Sequence, residues 1–596
     1  MGAGRGGSSR PPDQNADTVL DVLRDRGRRG LPLERLYRQL FNEQLFLMAY
    51  GRLYANDGAM TPGVDGETPD GMSLDAIRDI IARLRAERYR FAPVRRVYIP
   101  KKNGTLRPLG LPTWTDKLVG EVVRLLLEAY YEPQFSARSH GFRPGRGCHT
   151  ALDEIASTWT GTTWFIEGDI ADCFGSLDHE IMLAILAENI HDGRFLRLVA
   201  GMLRAGYLED WRWHATHSGA PQGGVVSPVL SNIYLDRLDT FVEQTLVPAW
   251  TRGRVRRRSR EYGNITATIG YWRRKGDRDR VTALRKLQQS MPSVDVTDPG
   301  YRRLRYARYA DDHLLGFVGS KAEAEQIKDQ LAGFLRDELK LELSTEKTLI
   351  THARTRKARF LGYDIWTRQD DTWHTNGGRS LNGTVALGVP PEVVNTKCRT
   401  YQRKRGKPLI RNDLIRTSDY TIVATYGSEY RGYVQHYQLA GNVNWLNKLR
   451  YTMERSMMST LAAKHRRPPW VMGKRHRSTV DTPYGKRRCY EAVQRTPAGK
   501  VFTARFGGIP LRRRKHARLI DGAWPSRRGR QLTARLTAGI CELCGSCDGI
   551  TVHHVKRLTD LDRYSTTAAP KWVETMRARR RKTLIVCARC HTGIHQ

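Results

Sequence analysis

The fold of the largest part of this chain is decided by one stretch, Leu304-Arg305-Tyr306-Ala307-Arg308-Tyr309-Ala310-Asp311-Asp312-His313-Leu314-Leu315-Gly316-Phe317-Val318. The residues before the two aspartates favour a β-strand and those after them are mostly apolar, so the pattern predicts a β-hairpin with Asp311 and Asp312 at its tip. Adjacent carboxylates repel each other unless a cation neutralises them, and oxygen ligands of this kind suit Mg²⁺. The alternative is a solvated Asp-Asp turn.

A third acid is predicted to lie beside this hairpin. The run Trp164-Phe165-Ile166-Glu167-Gly168-Asp169-Ile170 resembles a strand, and Asp178 is placed as the N-cap of the apolar-periodic helix that follows. Asp169 can therefore stand at the end of a central strand, next to Asp311. Three such acids can hold two divalent cations about 4 Å apart, an arrangement that supports phosphoryl transfer to a 3′-hydroxyl with pyrophosphate as the leaving group.

The C-terminal part holds a second set of metal-binding residue types. Cys541-Glu542-Leu543-Cys544 and Cys587-Ala588-Arg589-Cys590 are two CxxC pairs, which predict a closed structural Zn²⁺ site on Cys541, Cys544, Cys587 and Cys590. Cys547 is a spare that can substitute in this set. His591 and His595 are four residues apart, so a helix would place both on one face as metal ligands.

Composition points to a polyanionic partner. The 596 residues include 100 Lys and Arg against 61 Asp and Glu, a formal charge of +39 that is far beyond what solubility requires. The length predicts three or four domains, and no apolar run is long enough to cross a bilayer. Nine cysteines, single in the body and bunched at the end, indicate a metal site in a reducing compartment rather than disulfides.

Further motifs accompany the two acidic blocks along the chain. They are Leu40-Phe41-Asn42, Pro62-Gly63-Val64-Asp65-Gly66, Ile99-Pro100-Lys101-Lys102-Asn103-Gly104, Arg107-Pro108-Leu109-Gly110, His140-Gly141-Phe142-Arg143-Pro144-Gly145, Pro221-Gln222-Gly223-Gly224-Val225-Val226-Ser227-Pro228, Leu343-Ser344-Thr345-Glu346-Lys347-Thr348 and Phe360-Leu361-Gly362-Tyr363. In this order they closely resemble the reverse transcriptase-maturases encoded by group II introns of bacteria and organelles. The resemblance covers nearly the whole length.

The resemblance implies an α+β multidomain fold: a right-hand polymerase whose fingers and palm contain an antiparallel sheet, an α-helical thumb or domain X, and a small ββα-metal, zinc-containing HNH domain. The implied boundaries are 1–30 for a disordered basic tail, 31–375 for fingers and palm, 376–470 for the thumb and maturase domain X, 471–535 for a DNA-binding linker domain and 536–596 for the HNH endonuclease. A basic segment at about 251–300 interrupts the polymerase motifs, and we interpret it as an insertion that touches RNA phosphates or as a solvated loop.

The resemblance also assigns residues in the polymerase. Asp169 and Asp311 would be the main Mg²⁺ ligands, with Asp312 a third catalytic acid. The nucleotide would be bound by Lys101, Arg107, Phe174 and Gln222, with Phe174 under the incoming sugar and the two cations on the triphosphate. For these side chains the alternatives are core packing or surface solubility. Lys347 opens the stretch before the primer grip.

In the C-terminal half the resemblance assigns RNA contacts and a nuclease site. Arg431, Lys464 and Arg466 would contact intron RNA phosphates. His553, His591 and His595 would hold one catalytic cation, and neutral His554 would activate water. The central Asn of HNH domains is not evident in its expected place between Trp572 and Lys582, which leaves the ligand set and the nuclease activity open. The alternative is a zinc ribbon that only binds DNA.

The implied function is that of a multifunctional protein: an RNA-directed DNA polymerase, a maturase that assists intron RNA splicing, and an HNH endonuclease for target-primed reverse transcription and intron mobility. The expected cofactors are Mg²⁺ for the polymerase and the nuclease and Zn²⁺ on the four cysteines. The expected partners are group II intron RNA in a ribonucleoprotein, target DNA and dNTPs, with no membrane. We expect a bacterial cytoplasmic, nucleoid-associated location, with an organelle as the alternative.

Two other functions are compatible with parts of the sequence. The protein can be a splicing-only RNA-binding maturase whose polymerase or nuclease is inactive, although the intact Asp169, Asp311 and Asp312 favour an active polymerase. A polymerase from a non-intron retroelement is disfavoured by the domain X and HNH segments.

Overall fold

The computed structural model describes residues 15–56, 58–100, 104, 106–209, 212–216, 218–219, 224–344, 346–370, 373–375, 378–379, 381–495, 499, 501–519, 527–564 and 569–596. Part of the predicted disordered tail, residues 1–14, lies outside this set. The rest of that prediction is wrong, because residues 16–28 form a helix whose Val19, Leu20 and Leu23 are buried. Its apolar side chains recur at helical spacing, and they pack against a long central helix, Trp114–Tyr131.

The N-terminal two thirds alternate helices with short strands. In chain order the elements are α1 (Ala16–Arg28), α2 (Glu43–Leu53), α3 (Leu74–Arg85), β1 (Val94–Pro100), β2 (Leu106–Leu111), α4 (Trp114–Tyr131), α5 (Cys148–Thr158), β3 (Trp164–Gly168), α6 (Cys173–Ser176), α7 (His179–Ala187), α8 (Gly193–Leu203), β4 (Tyr207–Glu209), β5 (Arg212–His214), α9 (Ser227–Phe241), α10 (Val247–Ala249), α11 (Arg260–Arg274), α12 (Arg278–Ser290), β6 (Arg303–Tyr309), β7 (Asp312–Val318), α13 (Lys321–Leu339), β8 (Ile350–His352), β9 (Ala358–Phe360) and β10 (Tyr363–Thr367). A π-helical turn, Val242–Leu246, joins α9 to α10.

Two four-stranded sheets organise this region. The first has the order β2-β1-β4-β5, and the second has the order β6-β7-β3-β8. In the second sheet β7 is antiparallel to both neighbours, so the predicted hairpin is confirmed, with Tyr309 opposite Asp312. Asp178 caps α7 as predicted, because its carboxylate accepts hydrogen bonds from the backbone N–H groups of Glu180 and Ile181 at 2.9 and 3.0 Å.

The predicted insertion is a helical hairpin rather than a loop. Helices α11 and α12 pack on each other, and of their side chains only Ile269 is buried. Ser259 and Asp277 cap the two helices through side-chain hydrogen bonds to backbone N–H groups. The hairpin therefore owes its structure to local capping and mutual packing, and its basic side chains remain at the surface.

The region after β10 is largely helical. Its elements are β11 (His374–Thr375), β12 (Gly378–Arg379), β13 (Val385–Gly388), α14 (Pro391–Arg399), α15 (Asn412–Ile415), α16 (Asp419–His436) and α17 (Leu446–His465). Strand β13 pairs with β10 in a sheet of order β13-β10-β9, so this sheet crosses the predicted boundary at 375/376. The apolar positions of α17, such as Leu449 and Met453, are core residues as expected.

The last part contains a three-stranded sheet and a ββα unit. Its elements are α18 (Pro469–His476), β14 (Arg477–Thr482), β15 (Gly485–Arg495), β16 (Val501–Gly507), α19 (Arg527–Thr537), β17 (Ile550–His554), α20 (Lys571–Arg579), β18 (Thr583–Cys587) and α21 (Ala588–His595). The β14-β15-β16 sheet packs on α16, whereas β17 and β18 pair with each other. Helix α19 crosses the predicted 535/536 boundary.

The two ends of the chain share one hydrophobic core. Leu532 and Leu536 of α19 are buried with Phe46 and Tyr50 of α2. Val552 belongs to the same core, and its backbone pairs with Met72 in a short antiparallel bridge. The ββα unit is therefore docked on the polymerase part. No helix in the described ranges is long and apolar enough to span a bilayer.

Candidate metal centres

The tip of the β6-β7 hairpin is held by a buried ion pair behind it. Ala310 has a positive φ of 56°, which an alanine rarely adopts. The fully buried guanidinium of Arg308 donates a 2.9 Å hydrogen bond to the Ala310 carbonyl and pairs with Asp239 at 2.5 Å. Separating such a pair would leave an uncompensated buried charge, so Arg308 stays in place. Its hydrogen bond to the Ala310 carbonyl then holds the backbone of the tip. Sequence reasoning missed it, because Arg308 reads as one residue of a β-prone run.

The register of β3 against β7 places Asp169 beside the tip. Gly168, the last residue of β3, lies opposite His313, the residue after Asp312. A Cβ on Gly168 would lie 2.0 Å from Nε2 of the buried His313 ring, so this position requires glycine. Asp169 follows directly, and its Oδ2 accepts a 2.6 Å hydrogen bond from Nζ of Lys347. The structure therefore brings the predicted acids to one edge of the sheet, with a lysine between them and solvent.

The carboxylates at this edge repel one another when they are ionised. Burial and the neighbouring Asp169 raise the pKa of Asp311. Burial, Asp311 and Asp169 raise the pKa of Asp312 to about 7, and Lys347 opposes this shift only in part. Carboxylates that resist ionisation side by side are stabilised by a bound cation, and oxygen donors are the ligands that Mg²⁺ prefers. The donor set fits a divalent-metal site.

The structure places two of the predicted nucleotide-binding residues near these acids. Phe174 lies in α6, half-buried, with its ring centroid 6.4 Å from that of Phe142, which is itself 6.4 Å from Tyr309. Arg107 is exposed on β2, and its charge offsets a small part of the rise in the pKa of Asp311. The other two predicted residues, Lys101 and Gln222, lie outside the described residues.

The four predicted zinc ligands converge. The sulfur atoms of Cys541, Cys544, Cys587 and Cys590 all lie within 4.8 Å of one another. Burial would raise the pKa of the Cys541 thiol, but hydrogen bonds from the backbone N–H groups of Cys544 and Cys587 outweigh it and lower the pKa to about 6. Cys547 is exposed and lies outside the cluster. Four thiols at this spacing are compatible with Zn²⁺.

A second cluster contains the three predicted histidine ligands and one residue that the sequence did not suggest. His553, His591 and His595 lie with Asp70 so that one ligand atom of each is within 4.8 Å of the others. His553 is buried, and its Nδ1 lies 3.2 Å from Oδ1 of Asp70. Imidazole nitrogens gathered around one carboxylate are a donor set that a transition-metal ion can take. Trp572 packs edge-on against the His553 ring at 5.2 Å.

His554 does not face this cluster in the docked arrangement. Successive residues of a strand point to opposite faces, and the His554 ring lies 5.9 Å from the Tyr54 ring on the polymerase part. Only 4% of His554 is exposed, and burial lowers its pKa to about 4. The imidazole is therefore neutral, as expected, but it is covered from water here.

The predicted RNA-contacting residues lie on the helical region. Arg431 is exposed on α16, and Arg466 is exposed immediately after α17. Lys464 instead forms an ion pair with Asp419 at 2.6 Å, and 23% of its side chain is exposed. Its charge is partly satisfied within the protein.

Comparisons with known proteins identify the family. Three acids at one edge of an antiparallel sheet, with a cysteine cluster and a histidine cluster on a ββα unit, are typical of a nucleotidyl-transferring polymerase joined to a nuclease. Family profiles match in three segments: "Reverse transcriptase (RNA-dependent DNA polymerase)" at residues 99–365, "Type II intron maturase" at 393–471 and "AI2M/AI1M-like, HNH endonuclease" at 541–591.

Relatives cover nearly the full length. The chain is 40% identical over 588 residues to the group II intron-encoded protein LtrA of Lactococcus lactis, which covers 94% of this chain and 95% of LtrA. It is 33% identical over 442 residues to a putative COX1/OXI3 intron 1 protein of Saccharomyces cerevisiae, which covers 71% of this chain and 52% of that protein. The chain belongs to the family of group II intron-encoded proteins. It is an RNA-directed DNA polymerase and intron maturase with an HNH endonuclease domain.

Proposed function

We propose that Asp169, Asp311 and Asp312 bind two Mg²⁺ ions and that this site copies intron RNA into DNA. When bound, the ions activate the primer 3′-hydroxyl and stabilise the leaving pyrophosphate. Asp169 and Asp311 are the main ligands, and Asp312 adds charge. The observation that carries the proposal is the register of β3 against β7, which joins acids from distant stretches of chain at one edge.

The surrounding residues bind the nucleotide in this proposal. Arg107 contacts the triphosphate as a planar fork and Lys101 as a point charge. Phe174 lies under the sugar, supported by its contact with Phe142. Gln222, from the glycine-rich sequence motif, completes the proposed set of nucleotide-binding residues. Lys347 neutralises Asp169 until the cations bind, and its side chain, which is 67% exposed, is free to move aside.

The nuclease uses the other two clusters. The four cysteines hold a structural Zn²⁺, and His553, His591 and His595 hold the nuclease cation. Their nitrogen donors favour a transition-metal ion there rather than the Mg²⁺ expected from the sequence. His554 remains the proposed general base, and its contact with Tyr54 means that the nuclease must separate from the polymerase part before this ring can reach water.

The RNA and DNA partners follow from the basic surfaces. Arg431, Arg466 and Lys464 contact intron RNA phosphates, and the α11-α12 hairpin adds further positive charge to the ribonucleoprotein. In the mobility reaction the nuclease nicks target DNA, and the polymerase extends the new 3′-hydroxyl with dNTPs.

The test is primer extension on an RNA template with Mg²⁺. Asp311→Asn removes a ligand charge without changing size, so we expect DNA synthesis to fall by about 10³-fold, about 4 kcal/mol of activation free energy, while splicing assistance stays intact. The matched control is Asp329→Asn on the exposed face of α13, which should change neither activity. Equal loss of synthesis and splicing would show that the hairpin is only structural. Lack of extension by the unsubstituted protein would favour a splicing-only maturase.

A further inference from the structure

The three clustered histidines of the nuclease, His553, His591 and His595, contact the carboxylate of Asp70 from the N-terminal part of the chain. Asp70 lies in the loop before α3, more than 480 residues before His554, whose backbone N–H donates a 2.7 Å hydrogen bond to Asp70 Oδ1. Two backbone hydrogen bonds next to that contact fix the loop: the Gly71 N–H donates to the Val552 carbonyl, and the Val552 N–H donates to the Met72 carbonyl, both at 2.9 Å. Residues 70–72 therefore extend the β17-β18 sheet by a short antiparallel strand segment.

The Asp70 carboxylate is aimed into the histidine cluster. Its Oδ1 lies 3.2 Å from Nδ1 of His553 and 3.3 Å from Nε2 of His591, and its Oδ2 lies 2.9 Å from Nε2 of His595. The two Nε2 atoms of His591 and His595 are 3.3 Å apart. A tetrahedral ion with ligands at about 2.0–2.1 Å has neighbouring ligand atoms about 3.3–3.4 Å apart. The distances from Asp70 to the three histidines and the distance between His591 and His595 are close to this spacing, and one ligand atom of each of the four lies within 4.8 Å of the others.

From this geometry we infer that Asp70 is the fourth ligand of the ion held by His553, His591 and His595, so that one metal ion joins the nuclease to the polymerase part. The inference rests on the proposed nuclease cation site and adds a ligand from outside the nuclease. Three imidazoles and one carboxylate suit Zn²⁺ or a similar transition-metal ion, whereas Mg²⁺ prefers oxygen ligands.

Apolar packing brings the ligands together and makes the contact specific. Met72 and Val552 are both buried in the shared core, and the Trp114 indole N–H lies 3.4 Å from the Met72 sulfur. Because this packing positions the loop without the ion, Asp70 needs no rearrangement to bind it. Ion binding should in turn stabilise the docked arrangement by mass action.

The first test uses the full-length protein with Zn²⁺ already bound to the four cysteines. Co²⁺ is titrated in excess Mg²⁺, which occupies the acid edge, and its binding is followed by visible absorption. We expect one further equivalent to bind, and Asp70→Asn to weaken its binding by at least the 10–100-fold that loss of even an outer-shell partner costs. Asn keeps an acceptor for the His554 N–H, so the loop should stay docked. Glu67→Gln, an equal charge change at an exposed residue of the same loop, should bind Co²⁺ like the unsubstituted protein.

The second test reads out coordination directly. Asp70→Cys offers a thiolate at the same position, so bound Co²⁺ should acquire a sulfur-to-metal charge-transfer band; Glu67→Cys should show none. Ion binding should also slow hydrogen exchange at the Gly71 and Val552 amides in the unsubstituted protein and less so in Asp70→Asn. These readouts are independent of catalysis.

The outcomes separate the inference from the function beneath it. If no second equivalent binds even to the unsubstituted protein, the proposed nuclease cation site itself is wrong. If a second equivalent binds and His595→Ala abolishes it, but Asp70→Asn binds equally well and Asp70→Cys gives no new band, the histidine site stands and Asp70 is not a ligand.

Discussion

The acid edge of the polymerase contacts the lysine Lys347, and the histidine cluster of the nuclease contacts the aspartate Asp70. These two side chains are held in place differently. Lys347 reaches Asp169 from a flexible side chain that is mostly in solvent. Asp70 is 18% exposed and sits in a loop whose backbone pairs with β17. Lys347 can leave by rotation about single bonds, whereas Asp70 can leave only when the backbone contacts around Val552 break.

This difference indicates that ligands reach the polymerase site and the nuclease site in different ways. Cations and nucleotides can enter the polymerase site by displacing one side chain, which takes nanoseconds. Access to the nuclease site requires separation of two packed surfaces, a slower and larger event. Under the proposed site assignments, the polymerase can act in the docked arrangement, whereas the nuclease must first separate from the polymerase part.

The largest effect is expected from Cys541→Ser. Structural Zn²⁺ contributes about 10 kcal/mol or more to the folding of small zinc domains, so the variant should lose one Zn²⁺ per chain and all DNA nicking. Because the acid edge does not depend on this ion, primer extension should stay within about twofold, about 0.4 kcal/mol. Metal analysis and the two activity assays measure this. Cys547→Ser is the matched control, since Cys547 lies outside the cluster. Unchanged Zn²⁺ content in Cys541→Ser would contradict the prediction.

An intermediate effect is expected from Asp312→Asn in Mg²⁺-free buffer. Folding raises the pKa of Asp312 from 3.8 to about 7, so this carboxyl disfavours the folded state progressively as the pH rises between these values. The variant should gain on the order of 4 kcal/mol of unfolding free energy at pH 8 and less at pH 5. Urea denaturation at the two pH values measures it. A loss of stability at pH 8 would mean that the acids are already neutralised within the protein.

The smallest effect is expected from Lys347→Gln. An ion pair with one mostly exposed partner contributes about 0–1 kcal/mol, so the unfolding free energy should change by no more than this. Lys321→Gln, which breaks an exposed pair with Glu325, is the comparison. If Lys347→Gln lowered the free energy of unfolding by several kcal/mol, Lys347 would be held as firmly as Asp70. The contrast between the two sites would then disappear.

Local patterns in the sequence predicted much of the acid edge. The hairpin, the placement of Asp169 after a strand and the Asp178 cap follow from strand propensity and capping, and each depends on residues within a few positions of one another. The spacing of the two CxxC pairs likewise predicted that their four cysteines lie together. Their roles in binding particular metals remain predictions.

What the sequence did not reveal depends on contacts between distant residues. No local pattern connects Asp70 with His553, and none pairs Arg308 with Asp239, because each pair is joined only by tertiary packing. His554 stands beside His553 in the sequence, yet strand geometry turns it towards Tyr54. Helix α1 was assigned to a disordered tail, because the polar, glycine-rich residues before it dominate the composition there.

The packing of α19 against α2 sets an order of events during synthesis. Helix α2 ends at Leu53 and α19 begins at Arg527, so the ribosome adds about 470 residues between them. At 5–20 residues per second this takes roughly 25 to 100 s, during which the apolar face of α2 lacks its C-terminal cover. Translation that stops before residue 527 would leave this face open to aggregation. Helix α19 can therefore pack on α2 only late in synthesis, after residues 527–537 have been added.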